Sequence, residues 1–260
     1  MKRLLLFFAL WLPVFSNAQI GFKQLLDGIA WQGTEKQLLG KYGKYMNKIT
    51  HEEWIDEGTC SDYSFRNIKL GGFIINQAPI RVDKDTKELY RVNFIVFEDS
   101  KNANLSKTVD RQLVALFGTP ICTEDDEGIG VISTYHKEWV TNRYKVRSNL
   151  FVFNGDTYLY TVSVEPLEYY SVDYTKAKVE HNGYGIAVPK IVSFKIDNDG
   201  NVYIKKEGGI EIKKQFENVH ETPKGDVYVF DGGMICYREA DNDVVYMKDS
   251  FAATYPIKKQ

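Results

Sequence analysis

The chain has 260 residues, 43% of them hydrophobic and 26% charged, with 33 Lys and Arg against 35 Asp and Glu. That near-balance gives no basic stripe for nucleic-acid phosphates. Aromatics make up 14% of the residues, including 17 Tyr, which favours strands over a helical bundle.

The chain opens MKRLLLFFALWLPVFSNAQ. Lys2 and Arg3, an apolar run from Leu4 to Phe15 and the small pair Ser16 and Ala18 follow the order of a secretory leader, 1–18, with Gln19 as the mature N-terminus. The apolar run is too short to span a bilayer, and no later stretch approaches spanning length. A periplasmic or extracellular location is expected, with no transmembrane segment in the mature chain. Of Cys60, Cys122 and Cys236, at most two can form a disulfide, and the spacing does not choose a pair.

TEKQLLGKYGKY (Thr34 to Tyr45) and VDRQLVALFGTP (Val109 to Pro120) are nearly the same line written twice. Val109, Leu113, Leu116 and Phe117 fall on one helical face, Ser106 is placed as its N-cap, and Gly118 before Thr119-Pro120 stops the helix. Leu38 and Tyr42 keep that face in the first copy. Each helix is followed by a related strand, LYRVNFIV (Leu89 to Val96) and LYTVSVEP (Leu159 to Pro166). Tyr90, Val92, Phe94 and Val96 share one parity, matched by Tyr160, Val162 and Val164. Arg91 and Asn93 take the other, matched by Thr161 and Ser163. Further strands are expected at Tyr63 to Lys69, near Phe73 to Asn76, at Ile80 to Val82, Val131 to Val140, Tyr144 to Arg147 and Leu150 to Phe153.

The helix ending through Leu113, Gly118 and Pro120, the strand carrying Trp139 and the apolar strands with Phe151, Phe153, Tyr160 and Val162 resemble the SmpA/OmlA outer-membrane-assembly lipoproteins. Two such units in tandem are similar to beta-lactamase inhibitor protein. The likeness covers about 22–167; the chain differs from the lipoproteins in having no Cys after its apolar leader, and Tyr45 where the first copy would carry Pro. What it implies is protein binding or inhibition rather than catalysis.

After Pro166 a polar, aromatic connector (168–185) leads to short strands from Ile186 onward, at Ile191 to Ile196, Val202 to Lys206, Ile210 to Lys214, Val227 to Phe230, Met234 to Tyr237 and Val244 to Met247. DNDGN, EGG, DGG and ADND separate them as turns. The expected class is therefore α+β: a first helix-plus-antiparallel-sheet unit at 19–103, a second at 104–167, and a C-terminal antiparallel β-meander at 186–260.

Motifs for chemistry are sparse. DNDGN lacks the spacing and flanking helices of an EF-hand and reads as a hairpin turn. TEDDEG (Thr123 to Gly128) reads as a solvated loop. HEEWI (His51 to Ile55) has Ile55 where a zinc site needs its second His, and GIGVIS (Gly128 to Ser133) lacks the third Gly of a dinucleotide loop. No catalytic residue, cofactor or metal site is assigned. The expected function is a secreted, non-catalytic binding or inhibitor-like module of a bacterial envelope, taking an envelope or extracellular protein through Arg91, Asn93, Thr161, Ser163, Tyr135 and Trp139. Tyr135 and Trp139 share one strand parity; on an open face they would anchor a partner, and under the helix they would be core. An envelope-biogenesis accessory protein and an enzyme of unrecognised type remain as alternatives.

Overall fold

The computed structural model describes residues 19–258 except 32, 50–59, 84, 127–131 and 184. The expected leader at 1–18, the HEEWI stretch and the start of GIGVIS lie outside the described residues, as do the side chains of Cys60 and Cys122. Cys236 is a free, buried thiol.

Strand β1 (Ile20–Gly21) leads into helix α1 (Phe22–Gly28) and helix α2 (Glu35–Tyr42). Strands β2 (Met46–Lys48), β3 (Cys60–Phe65), β4 (Ile68–Leu70), β5 (Phe73–Ile75), β6 (Ala78–Val82) and β7 (Leu89–Ser100) follow. Helix α3 (Asn104–Phe117) precedes β8 (Cys122–Asp126), β9 (Ile132–Val140), β10 (Tyr144–Phe153) and β11 (Thr157–Ser171). The rest of the chain is β12 (Lys178–Asn182), β13 (Ile191–Asp197), β14 (Val202–Lys206), β15 (Glu211–Lys214), β16 (Phe216–His220), β17 (Val227–Phe230), β18 (Gly233–Arg238), β19 (Asp243–Lys248) and β20 (Phe251–Pro256).

These elements correct the expected α+β class. Twenty strands stand against three short α-helices among the described residues, and the strands form three sheets. Six strands, β2 to β7, follow α2, with β4 and β5 in a separate sheet, and four, β8 to β11, follow α3, and the two runs do not build separate units. β7 and β11 pair antiparallel, Val92 opposite Val164 and Phe94 opposite Val162, so both runs merge into one 11-stranded sheet. The presumed equivalents also differ in surroundings: Tyr160 is 1% exposed and hydrogen-bonds Asp110, whereas Tyr90 is half-buried at a strand start.

The long strand β11 organises the architecture. Its first part lies between β7 and β10; its last part, Leu167 to Ser171, pairs with β13. The same sheet therefore continues through β13, β14 and β15, and the C-terminal region is not a simple meander. β16 to β20, with β12 beside β20, form a separate six-stranded sheet. The acidic run Thr123 to Asp126 is not a loop: it pairs with Thr134 to Lys137 as part of β8. Helix α3 starts at Asn104, not after Ser106; Ser106 instead donates its hydroxyl to the Ala103 carbonyl.

Alternation along each strand sorts the packing. Val92, Phe94, Val162, Val164, Val146 and Trp139 bury one face against Leu25, Leu38 and Leu113 of the three helices. Phe194, Ile196, Val202 and Ile204 of β13 and β14 form a second core with Ile235, Val244 and Tyr255 of the six-stranded sheet. Charged residues of the opposite parities meet between these two cores, Lys145 with Asp197 and Lys213 with Glu138. Phe94 is fully buried, with the Phe22 ring edge-on at 4.8 Å, so its loss removes one of the contacts that seat α1. Phe94→Ala is expected to cost about 3–5 kcal/mol of stability in urea unfolding; a cost under about 1 kcal/mol would show that α1 is held elsewhere.

Candidate functional site

The polar parities of β10, β11 and β13 bring Lys145, Glu165 and Asp197 together. Lys145 is 2% exposed, and its Nζ lies 2.5 Å from Glu165, 2.7 Å from Asp197 and 3.0 Å from Asp199. Arg91 closes on the other side of Glu165 at 2.7 Å. Lys213 of β15 reaches Glu138 of β9 at 2.8 Å, so the sheet curls its far strands over its own polar face. A buried charge costs several kcal/mol unless paired and hydrogen-bonded, and here each ion has partners.

Their surroundings set the ionisation states. Burial by itself would lower the pKa of Lys145, but the Glu165 and Asp197 carboxylates outweigh it and hold the ammonium above its ordinary value. Burial would raise Asp197, yet Lys145, Asn201 and Tyr203 outweigh that and leave it below its ordinary 3.8. Burial, then the Asp197 charge, pushes the Tyr203 phenol up. Glu165, Asp197 and Asp199 present oxygens within 4.8 Å of one another, a spacing that suits a metal ion. The Lys145 ammonium already stands among them, so the position of a cation is taken by the chain itself.

Asp197 also shapes the surface. Its Oδ1 accepts from the Asp199 N–H and the Asn201 N–H, fixing the turn between β13 and β14, and Asn198 Nδ2 donates to the Tyr90 carbonyl. This turn floors the middle of a surface trough made of three adjoining depressions, all of which share Glu168 of β11. The largest, about 630 Å³, is walled by Tyr170, Tyr228, Tyr237 and Asp226. The middle one, about 380 Å³, adds Asp199 and Phe216, and the third, about 280 Å³, runs past Asn198 to Glu88, Tyr90 and Trp31.

The wall at Asp226 is tightly built. Gly225 has φ +130°, and a Cβ there would lie 2.1 Å from the Tyr237 carbonyl oxygen, so only glycine lets the turn press against β18. Tyr170 and Tyr237 lie ring on ring at 4.5 Å, and Tyr170 donates to Glu168 at 2.6 Å. Burial, with Glu168 and Asp226 adding, pushes the Tyr228 phenol up to about 12, so it stays neutral at physiological pH. The largest depression carries Glu168, Asp226, Glu239 and Asp241 against Lys224 and Arg238. Arg238 is already engaged by Asp243 through two 2.8 Å hydrogen bonds and by Asp241 at 3.5 Å, whereas Asp226 and Glu239 have no ion pair among the described residues. The trough is negative. Its lining contains no His or Cys among the described residues.

The residues singled out in the sequence take different places. Arg91, Asn93, Thr161 and Ser163 lie on the polar parity and are half-buried, with Asn93 opposite Ser163 and Arg91 bound to Glu165. Trp139 is 1% exposed and donates its indole N–H to the Gly118 carbonyl at 2.8 Å, which makes it core. Tyr135, 42% exposed, lines a separate depression of about 350 Å³ with Lys137, Leu150 and Tyr160. Sequence reasoning does not reach the trough residues. Their signal is the aromatic and acidic composition around Glu168 to Tyr170 and Asp226 to Tyr228, which carries no spacing rule.

Comparison with known proteins finds no family model, no curated protein and no solved structure that matches the chain.

The buried charges make stability depend on pH and on cations. Asp197 has a depressed pKa, so its stabilisation is present above the unfolded value near 3.9 and is lost as pH falls through its folded value. Lys145 has a raised one, so its contribution is complete below about 10.4 and fades only above that. Unfolding free energy should therefore hold level in this respect from about pH 5 to 9 and fall in acid, and an Asp197→Asn variant should lose less in acid than the parent. Lys145→Ala should cost about 3–5 kcal/mol and regain part of it with millimolar Ca²⁺, whose oxygen-rich coordination three carboxylates suit. An equal response of parent and variant to Ca²⁺ would show that the ammonium does not fill that place.

Proposed function

We propose that the chain is an exported, non-catalytic binding module whose trough takes an extended, positively charged segment of an envelope or extracellular protein. The observation that carries this reading is the trough through Glu168: connected depressions whose carboxylates outnumber their cations, walled by tyrosine rings. Opposite charges 4 Å apart gain about 1 kcal/mol in water and about 4 kcal/mol where the effective dielectric is near 20. A cation over a tyrosine face adds about 0.5–1 kcal/mol. Several weak sites in a row suit a chain better than a compact solute. The basic, apolar and small-residue order at the N-terminus supports export, and no helix among the described residues is long and apolar enough to cross a membrane.

Calorimetric titration with an oligolysine peptide tests the reading. Binding is expected to weaken as salt is raised, and Glu168→Gln or Asp226→Asn should each weaken it about three- to tenfold. Oligoglutamate should not bind. An oligolysine peptide held no more tightly than a neutral peptide of equal length would overturn the proposal.

A further inference from the structure

The 11-stranded sheet ends on one side at β15. β15 pairs with β14 through Val202 opposite Lys214 and Ile204 opposite Ile212, and no strand among the described residues covers its other edge. An uncovered edge offers unpaired backbone N–H and C=O groups to another strand. This edge is also the most apolar exposed point described: Ile210 is 83% exposed, while every other exposed large apolar residue, Ile212 at 45% included, lies between 40% and 45%. None of β15 lines the trough, so a partner at this edge is independent of the function proposed for that surface.

We propose that a second copy of this chain pairs antiparallel with β15 about a two-fold axis through Ile212, forming a weak dimer. The sequence Ile210-Glu211-Ile212-Lys213-Lys214 selects that register by charge. With the axis at Ile212, Ile212 faces its own copy, Glu211 faces Lys213 of the other copy twice over, and Ile210 lies along the alkyl stem of Lys214. An axis at Glu211 sets carboxylate against carboxylate, and one at Lys213 sets ammonium against ammonium, both destabilising when directly opposite. An axis midway between two residues would set the apolar parity of one strand against the polar parity of the other.

The polar side chains of this edge are held in place by partners within the chain. Lys195 holds Glu211 at 2.7 Å and Glu138 holds Lys213 at 2.8 Å, both on the parity opposite Ile210 and Ile212. The incoming strand therefore meets ordered charges on one face and apolar side chains on the other. Four residues of edge make a small contact, below the area of a permanent interface, so association is expected only at high protein concentration.

Sedimentation equilibrium of the mature chain, from micromolar to several hundred micromolar, reads this directly. The weight-average mass should climb from the monomer toward twice the monomer. Ile212→Lys, which sets lysine against lysine while leaving an exposed position polar, should hold the monomer mass throughout with an unchanged circular dichroism spectrum. Under mild oxidation Ile212→Cys should give a disulfide-linked dimer, and Ile210→Cys should give no more than the parent chain. A parent that stays monomeric at every concentration would overturn the proposal. So would an Ile212→Lys variant that associates like the parent, or an Ile210→Cys variant that crosslinks as well as Ile212→Cys.

Discussion

A lysine that is 2% exposed must keep negative charge beside it or give up its proton. Lys145 keeps Glu165 on its partner strand β11 and Asp197 at the end of β13. Those three side chains join the part of the sheet backed by helices to the part backed by the six-stranded sheet. Each part has its own apolar core, and apolar burial alone does not specify how the two sit against each other, because the surfaces that meet are polar. The β11–β13 backbone pairing and the ion pairs together supply that specification, and removing one ionic partner would strand the other in a poorly solvated place.

The trough inherits its shape from the same contact. Asp197 gives one carboxylate oxygen to Lys145 and the other to the backbone of the turn beyond it. That turn carries Asn198 toward β7 and forms the middle of the depression that Glu168 crosses. One side chain thus transmits a buried constraint to an exposed surface. A site resting on strand ends and a pinned turn is held more firmly than one on a free loop.

Much of the secondary structure is legible in the residues because it rests on local rules. The face of α3 is visible in Val109 and Leu113, both fully buried. The turn residues Gly200 and Asn242 take the positive φ that their composition suggests. The sheet connectivity is not visible, because no periodicity says that β7 will pair with β11 or that β11 will outlast β10 and take up β13. β16 and β20 escape sequence reading for a related reason: Phe216-Glu217-Asn218-Val219-His220 and Phe251-Ala252-Ala253-Thr254 lack the dense β-branched alternation that marks a strand. The acidic run of β8 misleads because carboxylates suggest solvent, and an edge strand tolerates them.

The polar layer is the hardest feature to foresee. Strand parity places Arg91 with Asn93 and Thr161 with Ser163 away from the helices, and a polar parity ordinarily means water. Here the sheet returns over itself and the water is replaced by opposite charge. A double-mutant cycle combining Lys145→Met with Asp197→Asn, read by urea unfolding, measures that replacement most directly. If the two groups hold the halves of the sheet together, the double variant will lose clearly less stability than the two single losses added, by about 2 kcal/mol or more. Losses that add to within about 0.5 kcal/mol would mean that the pair is incidental and that something else sets the join.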